Sequence, residues 1–185
     1  KILTLMRQDT SCVLICICGG FQMLGKEILD LKWVESSSGK VEGLGLLPLK
    51  TTFSARKKLS QVEAKDIRTG LYVFGYEIHH GKTEQKSSCK AVFKILKRGN
   101  KLINETDGAQ RADGRIWGTY IHGIFDSDEF RRDFLNRIRA KKGWEPIASK
   151  VQLDNDREFD KLARIVRENI DMDYLYRNVL KIKKV

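Results

Sequence analysis

The chain has 185 residues and a mass of 21.3 kDa, the size of one ordinary domain, with 41% hydrophobic and 32% charged residues. Its longest apolar run, Val13 to Cys18, is strand-sized, so no helical membrane span and no secretory leader are expected. The excess of 35 Lys and Arg over 24 Asp and Glu leaves a net charge of +11. The basic residues are dispersed, as in Lys57-Lys58, Arg131-Arg132, Lys141-Lys142 and the terminal Lys181 to Lys184, without interleaved aromatics, which argues against a nucleic-acid surface.

The segment Val13-Leu-Ile-Cys-Ile17 is continuous, apolar and β-branched, as in a parallel strand buried on both faces. Gly19-Gly20 follows, and then Phe21, Leu24, Ile28 and Leu31 recur at helical spacing, predicting a helix over about 20–31. The stretch from Trp33 to Thr52 reads as a loop, a short strand and a turn. Strands are predicted over 71–78, 91–97 and 115–121, with turns at Gly99-Asn100 and Asp113-Gly114. Ser127 is placed to cap a helix carrying Phe130, Phe134 and Ile138, and a last helix is expected over about 157–170. No repeat or linker interrupts the pattern, so it reads as one α/β domain. A central strand by residue 13 leaves little room for neighbours, so the chain is expected to be a piece of a longer polypeptide, lacking its first β-α segments.

Four cysteines are present. Cys16 and Cys18 point the same way along a strand, and Cys12, Cys16 and Cys18 do not follow a C-x-x-C spacing, so neither crossed disulfides nor a metal site is expected. Reduced thiols point to a cytoplasmic setting.

Cys18 stands out. A nucleophile on a strand-to-helix turn is held exposed by a strained backbone, and Gly19 and Gly20 let the chain turn without side-chain clash. The following helix N-terminus is expected to lower the thiol pKa, and backbone N–H groups near Gly19 to hold an oxyanion. The bland alternative is a structural cysteine beside a Gly-Gly turn. His122, in Gly118-Thr-Tyr-Ile-His122-Gly-Ile-Phe-Asp126, sits where a strand ends, the usual place for catalytic groups in α/β sheets. Paired with Cys18 it would take the thiol proton and return it to a leaving amine; alone it would be a satisfied structural residue. Gly75-Tyr76-Glu77-Ile-His79-His80-Gly-Lys-Thr83 gathers polar groups on an apolar strand, either for substrate or as a surface hairpin.

The three strings ICGGFQMLG at 17–25, GYEIHHGKT at 75–83 and GTYIHGIFD at 118–126 together resemble the glutamine amidotransferase domain of cobyric acid synthase. GLGLLPLKTTF at 43–53 and Asp171-Met-Asp173 agree in order. The resemblance implies a flavodoxin-like class I amidotransferase fold with a mixed, mainly parallel sheet flanked by helices. It implies Cys18 as nucleophile, His122 as base, and Gly19, Gly20, Gln22, Tyr76, Glu77 and His79 as oxyanion or substrate-binding residues. Glutamine would be hydrolysed through a glutamyl thioester, and the ammonia passed to an N-terminal synthetase domain, in cis or trans, that amidates corrinoid carboxylates. That domain would use ATP and Mg2+; this one would need no cofactor.

Two departures from the family pattern bear on the site. Cys16 stands where the family has glycine and is expected to crowd the turn. Ile124 stands where many relatives carry a glutamate that orients the histidine, leaving Glu77 or a group from another domain as candidates. A non-catalytic domain acting as an interaction module is the alternative to an enzyme.

Overall fold

The computed structural model describes residues 1–85, 88–148 and 154–181; the basic residues after Lys181 lie outside them. The chain forms two compact units, Lys1–Lys150 and Val151–Val185, where the sequence reads as one domain.

The first unit runs α1 (Ile2–Gln8), β1 (Leu14–Ile17), α2 (Gly19–Met23), β2 (Glu27–Leu29), β3 (Lys40–Glu42), β4 (Leu49–Asp66), β5 (Tyr72–Gln85), β6 (Phe93–Arg98), β7 (Lys101–Asp107), β8 (Ala109–Gln110), β9 (Ile116–Thr119), a 3-10 turn (Ile124–Asp126) and α3 (Asp128–Lys141). One sheet has the order β1-β9-β8. The other runs β3-β2-β4-β6-β7, with β5 also paired to β4.

The α/β class with mixed sheets and flanking helices is as expected, but the balance is antiparallel. Among the described strands only β1–β9 and β2–β4 pair in parallel, against five antiparallel pairings. The reason is the long β4–β5 hairpin. Its turn is built by Asp66, whose carboxylate accepts the N–H and hydroxyl of Thr69, and by Gly70 at φ 73°, whose N–H reaches the Asp66 carbonyl at 2.8 Å. The charged run Arg56-Lys57-Lys58 hides the strand alternation of β4 from a reading of the sequence, and the pairing slips between Phe53 and Lys58.

The helix predicted over 20–31 stops at Met23. At Gly25 an added Cβ would lie 2.8 Å from the Leu49 carbonyl, so the backbones of this turn and β4 pack directly. Lys26 N–H bonds Leu49 at 2.9 Å, and Ile28 joins β2 beside Thr51. Helical spacing of Leu24, Ile28 and Leu31 was outweighed by backbone pairing with a distant strand.

Two apolar clusters carry the unit. Val62, Ala64, Val73, Phe93, Ile95, Trp117, Ile121, Ile124 and Phe130 pack in one, and Met6, Phe21, Leu24, Leu47, Leu49, Ile116 and Tyr120 in the other. β1 is only half-buried rather than covered on both faces.

The second unit contains α4 (Asn155–Asn169), capped by the Asp154 carboxylate accepting the Arg157 N–H at 3.0 Å, and a helical segment from Met172 through Val179. Among the described residues no helix is long and apolar enough to cross a membrane.

Candidate active site

β1 and β9 are parallel neighbours with Ile17 opposite Thr119, so the residues that follow them leave the sheet at the same end. Cys18 comes directly after Ile17, and its N–H donates to the Thr119 carbonyl at 2.9 Å. Its backbone is at φ 54°, ψ −113°, a region that a non-glycine residue occupies only under constraint. The constraint is the turn itself: β1 ends at Ile17 and α2 begins at Gly19, leaving one residue to reverse the chain. An added Cβ on Gly19 would meet no atom within 4 Å, so the space beside the thiol is open.

Cys16 does not crowd this turn. Even a Cβ on Gly20 would lie 3.4 Å from Cys16 Cβ and 3.8 Å from its Sγ, at ordinary contact distance. All four cysteines are free thiols.

His122 follows β9 by three residues and returns to the sheet through β5. Its N–H donates to the Tyr76 carbonyl at 2.8 Å, its carbonyl accepts the Tyr76 N–H at 3.2 Å, and its ring stacks on the Tyr76 ring at 4.9 Å and 8°. The Cys18 Sγ lies 3.6 Å from the carbonyl oxygen of Ile78, two residues further along the same strand. Cysteine and histidine therefore converge on one stretch of β5, Tyr76 to Ile78. His122 Nε2 is buried and has no hydrogen-bond partner.

Burial pushes the Cys18 thiol up from its ordinary pKa. The Gly19 N–H pulls the other way, and the Glu35 charge adds to the rise. The expected depression of the thiol pKa is thus not realised: desolvation outweighs the Gly19 N–H at the start of the five-residue α2.

The remaining candidates separate by strand alternation. Tyr76 lies with His122. Glu77 and His79 face the interior. Glu77 is buried and bound by Arg98, with Nε at 2.7 Å, and by Lys58 Nζ at 3.3 Å. Burial pushes its carboxyl up, but the neighbouring His79 and Arg98 side chains and the Lys58 charge outweigh it and hold the pKa down at about 2. Its oxygens are committed there, so Glu77 does not orient His122. His79 is also buried, stacks on Tyr120 at 3.7 Å, and has its Nδ1 2.7 Å from the Gly81 carbonyl. Gln22 is buried beside the Tyr120 hydroxyl, which also bonds Thr83 at 2.6 Å. Gln22, Glu77 and His79 are thus each held by neighbouring side chains or backbone.

A cavity of about 800 Å³ opens on that interior side, lined among others by Lys58, Glu77, His79, Arg98, Asp107 and Tyr120. Asp107 accepts the Thr119 hydroxyl and, at 3.2 Å, the Tyr120 N–H, and burial pushes its carboxyl up. Arg98 and Asp107 carry no motif that a reading of the sequence could single out. Tyr120 lay inside the GTYIHG string but pointed to no role.

The CobB/CobQ-like glutamine amidotransferase domain matches residues 1–130. The adenosylcobalamin biosynthesis bifunctional protein CobDQ of Leptospira interrogans is 41% identical over 97% of this chain and 20% of its own length. The cobyric acid synthases of Clostridium tetani and Clostridium botulinum are 45% and 42% identical, over 89% and 88% of this chain and 33% and 34% of theirs. The chain thus spans a fifth to a third of the length of these curated relatives. A crystal structure of a glutamine amidotransferase from Thermotoga maritima aligns at a TM-score of 0.40 and 12% identity, covering 90% of this chain and 60% of that one. With the match extending over more than two-thirds of its residues, the chain belongs to the CobB/CobQ-like glutamine amidotransferase domain family.

Proposed function

We propose that this chain is the glutamine-hydrolysing domain of a cobyric acid synthase. The observation that carries the reading is that Cys18, on the positive-φ turn after β1, and His122, just beyond the parallel neighbour β9, both lie against the stretch Tyr76–Ile78 of β5.

In this reading the Cys18 sulfur attacks the side-chain amide carbon of glutamine while His122 takes the thiol proton. Because burial favours the protonated thiol, the proton leaves in the encounter with substrate rather than beforehand. The carbonyl oxygen gains negative charge, and the backbone N–H of Gly19 is placed beside the sulfur to receive it. The C–N bond then breaks, His122 returns the proton to the leaving nitrogen, and ammonia departs. Water attacks the remaining thioester and releases glutamate. The ammonia is passed to a synthetase domain that uses ATP and Mg2+ to activate corrinoid carboxylates; no residue of this chain is assigned to the nucleotide or the metal.

The test is covalent. A glutamine-analogue diazoketone incubated with the full chain should label Cys18, located by peptide mass spectrometry, and glutamine should protect it. Labelling of Cys12 or Cys89 in its place would overturn the assignment.

A further inference from the structure

Among the described residues no carboxylate bonds the His122 ring. Ile124, two residues on, is fully buried in the core, and Glu77 is committed to Arg98 and Lys58 on the interior side of β5. Among the described residues the buried His122 Nε2 has no hydrogen-bond partner. Something else must fix its plane, because the imidazole torsion about Cβ–Cγ is broad and weakly constrained on its own.

We propose that Tyr76 is the positioning residue of His122, holding the base by ring stacking where a carboxylate is absent. This rests on the catalytic reading of Cys18 and His122. Three features support it. The rings are 4.9 Å apart and within 8° of parallel, so rotation of the imidazole would break the stack. The two backbones form an isolated antiparallel bridge, bonded in both directions, which fixes the Cα positions from which the rings project. Gly75 makes that approach possible, since a Cβ there would sit 2.0 Å from the His122 carbonyl oxygen.

The same stack has an electrostatic consequence. When His122 takes the thiol proton it becomes a cation lying against the electron-rich face of a phenol ring, an attraction that partly replaces the missing carboxylate. The ring does this, not the hydroxyl: among the described residues the Tyr76 hydroxyl makes no hydrogen bond, and Tyr76 is 43% exposed.

The experiment measures Cys18 labelling by the diazoketone, and glutamine hydrolysis, against reagent concentration in the full chain. Tyr76→Leu is expected to lower the maximal rate by about tenfold, the equivalent of one lost stack, with the half-saturating concentration unchanged within about twofold. Tyr76→Met should behave likewise, and Tyr76→Phe should restore the rate. Tyr76→Leu at full rate, or a loss in Tyr76→Phe as large as in Tyr76→Leu, would overturn the proposal. So would a change in half-saturation alone, which would make Tyr76 a substrate contact. In the unmodified chain the His122 ring protons should resonate upfield under the Tyr76 ring current, and unshifted signals would overturn the stack whatever the variants do. If His122→Ala is as fast as the unmodified chain, or Cys18 is never labelled, the catalytic reading itself falls. If His122→Ala is slow and Tyr76→Leu is not, only the role of Tyr76 falls.

Discussion

Cys16 packs against Gly20 without filling its side-chain position: the thiol lies 3.8 Å from where a Gly20 Cβ would stand. Strand β1 delivers Cys16 beneath the first turn of α2, where the two segments meet without overlap. The elbow at Cys18 keeps its strained backbone with the bulkier neighbour in place.

Gly20→Ala should therefore fold, at a cost of about 1 kcal/mol or less, since its Cβ meets Cys16 at ordinary contact distance. Gly75→Ala should not be tolerated in the same way. Its Cβ overlaps the His122 carbonyl, so β5 must part from His122 and both Tyr76–His122 backbone bonds are lost. A loss of about 2 to 4 kcal/mol in urea unfolding is expected, together with slower labelling of Cys18.

The thiol of Cys18 should behave as a protonated group at neutral pH. Peptide-resolved iodoacetamide labelling should be slower at pH 7 than in the unfolded chain. It should keep rising past pH 9.0, where an ordinary thiol levels off, because burial raises the native pKa. Glu35→Gln should speed the reaction, since the Glu35 charge adds to that rise.

Glu77 ties acid stability to the framework behind the site. Its native pKa, about 2, lies below the ordinary 4.5, so the ionised form is favoured by folding. That contribution is fully present above pH 4.5 and is lost as pH falls from there towards 2; the shift corresponds to about 3 kcal/mol. Urea unfolding between pH 6 and 2 should show the loss. Glu77→Gln should flatten this part of the profile while destabilising the protein at neutral pH, because Lys58 loses its pairing with Glu77 and Arg98 keeps only Glu105.

Ser127 stands at the N-cap position of α3, yet its hydroxyl does not cap the helix; it accepts the Phe74 N–H of β5 at 3.0 Å. Ser127→Ala should cost about 1 kcal/mol and speed hydrogen exchange at the Phe74 amide. Exchange in the first turn of α3 should stay as it was. Faster exchange there instead would restore the capping role expected from the sequence.

The turn at Cys18 and the strand end at His122 are legible from local chemistry alone. Two glycines after an apolar run mark a sharp turn at Cys18, and a histidine closing a β-rich string marks a strand end, because both signals depend on neighbours within a few residues. The strands over 71–78, 91–97 and 115–121 were visible for the same reason. Tertiary structure decided what depends on distant partners. β4 claimed Gly25 to Leu29 from a helix that its spacing favoured, and strand alternation turned Glu77 inward to Arg98, whose position is set 21 residues away. The stack of Tyr76 on His122 joins residues 46 positions apart, and no periodicity records it: ring planes and backbone bridges arise only when two segments are packed against each other.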